Sequence, residues 1–257
     1  MIFKLTSVAA LALAATTALA AAQETVKVGV AAEPYPPFTV PDASGNWTGW
    51  EVDIMNAVCE EAEIECEIVP TAWDGIIPAL TSGRIDIIMS SMSITEERAQ
   101  TIDFSDKYYS TPSVIVGAKA VEMEPTAEGL AGKILGVQAS TIHENYAQTH
   151  FPDAEINQYQ TQEEANQDLI AGRIDATQAD ALAMAPFLES EAGTACCELK
   201  GEVEPDDAIL GAGIGVGLRK EDDELEQKIN DAIAAIRENG TYDEISDKYF
   251  DFNIYGS

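Results

Sequence analysis

Leu80-Thr81-Ser82-Gly83-Arg84-Ile85-Asp86 returns as Leu169-Ile170-Ala171-Gly172-Arg173-Ile174-Asp175, 89 residues further along the chain. In each copy an apolar-periodic stretch, Trp73 to Leu80 or Glu163 to Ile170, runs into the glycine. Glycine just past a helix supplies the left-handed residue that ends it. Strand-like runs follow, Ile85 to Met89 in the first copy and Ile174 to Gln178 in the second. Chance can produce one helix-glycine-strand junction. Two copies of L-x-x-G-R-I-D predict two lobes of related α/β construction.

The flanking segments extend this pattern. Val26 to Ala31, Glu65 to Val69, Val114 to Ala118 and Ile134 to Val137 are short β-branched runs that predict strands. Val52 to Ala62 and Asp223 to Glu238 carry apolar residues at helical spacing. Gly213 to Leu218 predicts a late strand. Strands alternating with helices imply an α/β protein with two mostly parallel sheets flanked by helices. Two stretches suit chain crossings between lobes: Ser110 to Ser113, which holds Pro112, and Pro205 to Gly211. Residues 23–111 and 211–257 then make a discontinuous first lobe, and residues 112–210 an inserted second lobe. A hinge at the base of a cleft is a common home for a small ligand. The Gly211 to Gly217 run lacks the Lys-Ser/Thr ending and the following helix of a phosphate loop.

Composition narrows the function. The 257 residues carry a formal charge of −31, which makes nucleic acid and anionic membrane faces poor partners. Hydrophobic content of 46% suits a packed globular protein. Residues 1–22 read as a secretory signal: Lys4, an Ala/Leu-rich run from Val8 to Leu19, and small-residue cleavage patterns at Ala18-Leu19-Ala20 or Ala20-Ala21-Ala22. No cysteine stands at the cleavage point, so the expected product is free, soluble, extracytoplasmic and monomeric. Four cysteines suit an oxidising compartment. The seven-residue spacing of Cys59 and Cys66 fits a local disulfide, while Cys196-Cys197 is either a vicinal disulfide or two thiols. Four cysteines allow three connectivities, and the sequence does not choose. His143 and His150 lack metal-ligand spacing, and no cofactor fingerprint is present.

Several motifs then occur in a telling order: Tyr35-Pro36-Pro37-Phe38, Gly49-Trp50-Glu51-Val52-Asp53, Trp73-Asp74-Gly75-Ile76-Ile77-Pro78-Ala79-Leu80, Ser90-Ser91-Met92-Ser93-Ile94-Thr95-Glu96-Glu97-Arg98 and Phe104-Ser105-Asp106-Lys107-Tyr108-Tyr109. Together they resemble the solute-binding proteins of polar amino acid ABC transporters, bacterial solute-binding protein family 3. Gly215-Val216-Gly217-Leu218-Arg219-Lys220 and the tail Tyr249-Phe250-Asp251-Phe252-Asn253-Ile254-Tyr255-Gly256 are similar to the lysine/arginine/ornithine- and histidine-binding branch. The resemblance covers essentially the whole chain after the signal. It implies the two-lobed type II periplasmic binding protein fold, a Cys59–Cys66 disulfide, a permease in the inner membrane as partner, and no catalysis.

A free amino acid presents a carboxylate, an ammonium and a side chain, and desolvating two ions costs several kcal/mol each unless both find partners. The resemblance implies Arg98 as the cation for the carboxylate, a residue whose planar fork can form two parallel bonds. Ser93 and a helix start at Ser140-Thr141 would add donors. Asp180, with Ser90 and Ser91, would take the ammonium. Tyr35 and Trp73 would wall the side chain, joined by Val137 and Ile142. Where the basic branch has an aspartate before the Tyr segment, this chain has Ala32, followed by Glu33; Glu51 stands where the branch has aspartate. Glu33 and Glu51 are therefore the expected partners of a cationic side chain. Ile142 replaces the branch's glutamine, which leaves histidine, an opine or a neutral polar amino acid open as ligand. The enzyme alternative on a similar fold is a periplasmic cyclohexadienyl (prephenate/arogenate) dehydratase, which would recruit Glu33 or Glu51 as acid or base.

Overall fold

A computed structural model of the chain describes residues 25–256; the expected signal, residues 1–22, lies outside the described residues. Two five-stranded sheets form. The first runs in space Glu65–Thr71, Thr25–Ala31, Ile87–Ile88, Gly217–Leu218, Asp103–Phe104. The second runs Cys197–Glu202, Ser113–Ala118, Ala176–Asp180, Ile134–Gln138, Glu155–Tyr159.

The expected parallel arrangement holds for half of each sheet. Thr25–Ala31 pairs parallel with Glu65–Thr71 and with Ile87–Ile88. Ile134–Gln138 pairs parallel with Ala176–Asp180 and Glu155–Tyr159. The antiparallel ladders involve strands beside the lobe crossings. Ser113–Ala118 starts after the first crossing and meets Ala176–Asp180 and Cys197–Glu202 antiparallel. Gly217–Leu218 follows the second crossing and meets Ile87–Ile88 and Asp103–Phe104 antiparallel. A chain arriving from the other lobe enters each sheet against its direction.

Both repeat copies build the same junction. Gly83 and Gly172 sit at φ 73° and 66° just past the helices Ile76–Thr81 and Gln162–Ile170. The repeat aspartates then lock the next layer. Asp86 accepts from the Lys27 amide at 2.9 Å, and Asp175 accepts from the Ile134 amide at 2.8 Å. Each carboxylate thus holds the first part of a central parallel strand.

The core follows the side-chain periods. Val26, Val28 and Val30 are buried while Thr25 and Lys27 are exposed. Ile229, Ala232, Ile233 and Ile236 are the buried face of the helix Asp223–Glu238, which packs on the helix Trp50–Glu61. Each buried Ile contributes about 1.5–3 kcal/mol of transfer free energy. Cys59 and Cys66 are bonded, joining that second helix to the next strand, and Cys196 is bonded to Cys197.

Three strand expectations are corrected. The repeat strand of the second copy is Ala176–Asp180, not Ile174 to Gln178, which makes Asp180 a strand end. In the first copy only Ile87–Ile88 is ladder, although the Asp86 and Met89 amides extend its bonding to Lys27 and Gly29. Gly213 to Leu218 is ladder only at Gly217–Leu218. Gly211 and Gly213 take φ of 85° and 128°, which carries the crossing close along Ile94 before pairing begins.

Candidate functional site

Where the two sheets' C-terminal strand ends face each other, a cavity opens between the lobes. Direct hydrogen bonds already join its walls. Tyr35 donates its hydroxyl to Asp180 Oδ2 at 2.6 Å, and Trp73 Nε1 donates to the Ser140 carbonyl at 3.0 Å. Gln138 Nε2 donates to Glu33 Oε1 at 2.8 Å, and Asn145 Nδ2 donates to Glu97 Oε2 at 3.0 Å. Each bond ties the first lobe to the second. These bonds hold the two lobes together over the cleft.

Arg98 lines the cavity from the short helix Glu96–Ala99, whose start is capped by the Thr95 hydroxyl accepting from the Arg98 amide. Its Nη1 donates to the Ser93 carbonyl at 3.1 Å, and its guanidinium carbon stands 5.5 Å from the Trp73 ring centre. One bond leaves most of the five-donor fork for the cavity. Burial pushes its pKa down to about 10, partly opposed by Glu97 and Asp180, so the group stays cationic at neutral pH.

Asp180 faces Arg98's side of the cavity from the end of its strand, 6% exposed. Ser90, Ser91, Ser93 and Thr141 also line the space. Ser90 Oγ accepts from the Ala31 amide at 2.9 Å and keeps its own proton to donate. Thr141 caps the helix Ile142–His150 by accepting from the Glu144 amide at 3.2 Å. The start of that helix leaves the Ile142 and His143 amides without intrahelical acceptors, and both residues line the cavity.

Tyr35, Trp73, Ile142 and Glu33 complete the wall as expected. Burial holds the Glu33 carboxyl above the ordinary carboxylate range; its own backbone and Gln138 pull the other way, and Asp74 adds to the rise.

Three expected residues lie elsewhere. Glu51 does not line the cavity: it is 1% exposed beneath the Ser90-Ser91 turn. It accepts from the Ser91 amide at 2.6 Å, from the Ser91 hydroxyl at 3.1 Å and from the Tyr108 hydroxyl. Ser91 sits at φ 52°, a left-handed conformation that a non-glycine residue keeps only when its surroundings enforce it. Glu51 is that enforcement. Ser140 is likewise outside the lining, at φ 61°, with its amide donating to Glu144 Oε2 at 2.6 Å and its carbonyl taken by Trp73. It latches the rim. Val137 is fully buried in the second lobe's core against Leu135 and Tyr146, because its strand position points away from the cleft.

Gln138, His143 and Gln162 line the cavity without having been singled out for it. Polar side chains on a strand end and two helix starts give no sequence signal by themselves. Only the neighbouring Ser140-Thr141 pair hinted that this edge faces a ligand.

Residues 26–252 match the family of bacterial extracellular solute-binding proteins, family 3. The chain belongs to this family. Within it, the chain is 42% identical over 240 residues to the L-arginine-binding protein of Pseudomonas aeruginosa, covering 92% of each. It is 39% identical over 246 residues to the histidine-binding periplasmic protein of Escherichia coli, covering 94% of each. The solved structure of an ancestral arginine-binding protein bound to arginine superposes with a TM-score of 0.80 at 33% identity, covering 89% of this chain and 99% of that one. Members of a solute-binding family close two lobes over a cleft, and the cross-lobe bonds above supply that closure here.

Proposed function

We propose that this family 3 protein captures a cationic L-amino acid in the periplasm and delivers it to the permease of an ABC transporter. The observation that carries the reading is the charge inventory of the closed cavity. Its lining holds two carboxylates, Glu33 and Asp180, against one guanidinium, Arg98. An amino acid with a cationic side chain brings two positive charges and one negative. Arg98 with the Ile142 and His143 amides takes the carboxylate, Asp180 takes the ammonium, and Glu33 takes the side-chain head. A neutral amino acid would leave Glu33 as an uncompensated, half-buried charge.

Trp73 and Tyr35 serve this arrangement as flat walls, and a cation against an aromatic face gains about 0.5–2 kcal/mol. Because the ligand would touch Arg98 on one lobe and Asp180 on the other, its binding energy favours the closed state. The names of the relatives, an arginine- and a histidine-binding protein, support binding over the dehydratase alternative. The lobe division at residues 111/112 and 210/211 belongs to the same proposal, and residues of both crossings, Pro112 and Gly211 among them, line a pocket together with Asp180.

Calorimetry with a panel of L-amino acids, after denaturing and refolding to remove any carried ligand, tests the proposal. Arginine, lysine, ornithine or histidine is expected to bind tightest, and Glu33→Gln to weaken arginine about tenfold, as for loss of about 1.4 kcal/mol of charge pairing. Tight binding of glutamate with no heat from any cationic amino acid refutes it. Turnover of prephenate or arogenate would move the protein to the dehydratase class.

A further inference from the structure

His143 lines the cavity, yet the capture of carboxylate and ammonium employs only its amide. The imidazole itself is buried, its side chain 7% exposed, on the helix Ile142–His150. Its Nδ1 lies 3.0 Å from Ser113 Oγ, and its Nε2 lies 3.5 Å from Asp180 Oδ1. Gln178 Nε2 donates to the same Ser113 Oγ at 3.0 Å. With that lone pair occupied, the Ser113 hydroxyl is free to donate to Nδ1. The neutral ring then carries its hydrogen on Nε2, turned toward Asp180.

The network has a second arrangement. Gln178 Oε1 is buried with no hydrogen-bond partner. If the amide turns over, Oε1 accepts from the Ser113 hydroxyl, and Ser113 Oγ accepts from a protonated Nδ1. Either amide orientation orphans one buried atom, so Gln178 itself sets no preference. The surroundings decide the ring's charge. Asp180 faces it from the end of the Ala176–Asp180 strand, and Tyr35 reaches the other oxygen of that carboxylate from the first lobe. Arg98 and Glu51 both sense Asp180's charge from the first lobe. On His143's own helix, Glu144 is engaged with the Ser140 amide, and His150 with Asp206 from the second crossing.

We infer that the His143 side chain is a positioning residue that competes, when protonated, with the ligand ammonium for Asp180. Neutral, the ring stands beside one Asp180 oxygen, with Nε2 at 3.5 Å, and leaves the carboxylate's charge to the ligand. Protonated, it pairs with Asp180 and places a positive charge beside the ligand's own. Binding and protonation therefore oppose each other: affinity falls on acidification, and ligand binding at mildly acidic pH releases a proton. The inference rests on Asp180 receiving the ammonium as proposed above.

L-arginine is the probe, because its own charges do not change between pH 5.5 and 8. Titration calorimetry is expected to show its Kd rising about tenfold or more from pH 8 to pH 5.5 in the wild type. In His143→Gln the change should be clearly smaller, and what remains belongs to Glu33, whose carboxyl is held above the ordinary range by burial. A second readout needs no substitution in the cleft. The chain has two histidines, so in His150→Gln the remaining imidazole resonance belongs to His143, and arginine added at pH 6 should move it toward its deprotonated position. Equal pH slopes in wild type and His143→Gln, or a resonance that arginine leaves in place, overturn the inference. A wild type that binds no arginine at pH 8 removes the cation-capture reading and the inference built on it.

Discussion

The two lobes solve one geometric problem in the same way and then diverge in chemistry. Each carries a serine in the left-handed region at the rim of the cleft, Ser91 at φ 52° and Ser140 at φ 61°. Each serine donates its amide to a glutamate, Glu51 or Glu144, at 2.6 Å. Each L-x-x-G-R-I-D copy also ends in an aspartate that holds the amide of a central strand. Beyond these shared braces the lobes differ. The first continues through Ser90 to Ser93 into the helix that presents Arg98, whereas the second ends its strand directly on Asp180. A duplicated scaffold thus faces itself with opposite charges, which suits a zwitterion. The braces differ in one further respect: Glu51 is buried with Tyr108, while Glu144 lies at a partly exposed helix start.

That contrast can be broken most severely at its charged end. Arg98→Met should weaken binding of the preferred amino acid by several hundredfold or more, since removing one partner of a buried ion pair costs about 3–5 kcal/mol. Unchanged ligand uptake by calorimetry would dissolve the opposed-charge picture. The braces come next. Glu51→Ala should destabilise the protein by about 3 kcal/mol or more, because it strips the Ser91 amide, the Ser91 hydroxyl and the Tyr108 hydroxyl of their buried acceptor. Glu144→Ala, at the exposed helix start, should stay near about 1 kcal/mol. Urea unfolding of both variants reads the difference, and equal losses would show that burial does not distinguish the two lobes. The smallest effects test the repeat. Asp175→Ala should lose about 1–2 kcal/mol, the value of a charge-assisted bond to one amide, and Asp86→Ala up to about 1 kcal/mol more, because it also leaves Arg219 without the carboxylate at 3.3 Å. The melting temperature should fall further for Asp86→Ala than for Asp175→Ala; the reverse order would mean that the two amide bonds do not do the same structural work.

Much of this organisation was legible before any coordinates. The repeat, the glycine stops and the alternating segments were local patterns, and the helix Asp223–Glu238 falls where its spacing put it. Arg98, Asp180, Tyr35, Trp73 and Glu33 line one cavity although 147 residues separate Glu33 from Asp180. The errors share a cause. Glu51, Ser140 and Val137 were placed by motif, yet each lies one side-chain direction away from the cavity: under the turn, on the rim, or into the core. Conversely, Gln138, His143 and Gln162 carry no periodicity or motif that marks them as cavity residues.

By itself, the sequence determined the periodicities, the stops, the duplicated junction and the types of charge available, because these depend on residues close together in the chain. Tertiary structure alone decided which of those charges meet. A side chain's partner depends on the twist and register of two sheets brought face to face, and a rotation of one residue is enough to send a glutamate beneath a turn instead of into the cleft. The antiparallel entry of strands beside each crossing was decided at the same level, since it follows from where the chain returns in space.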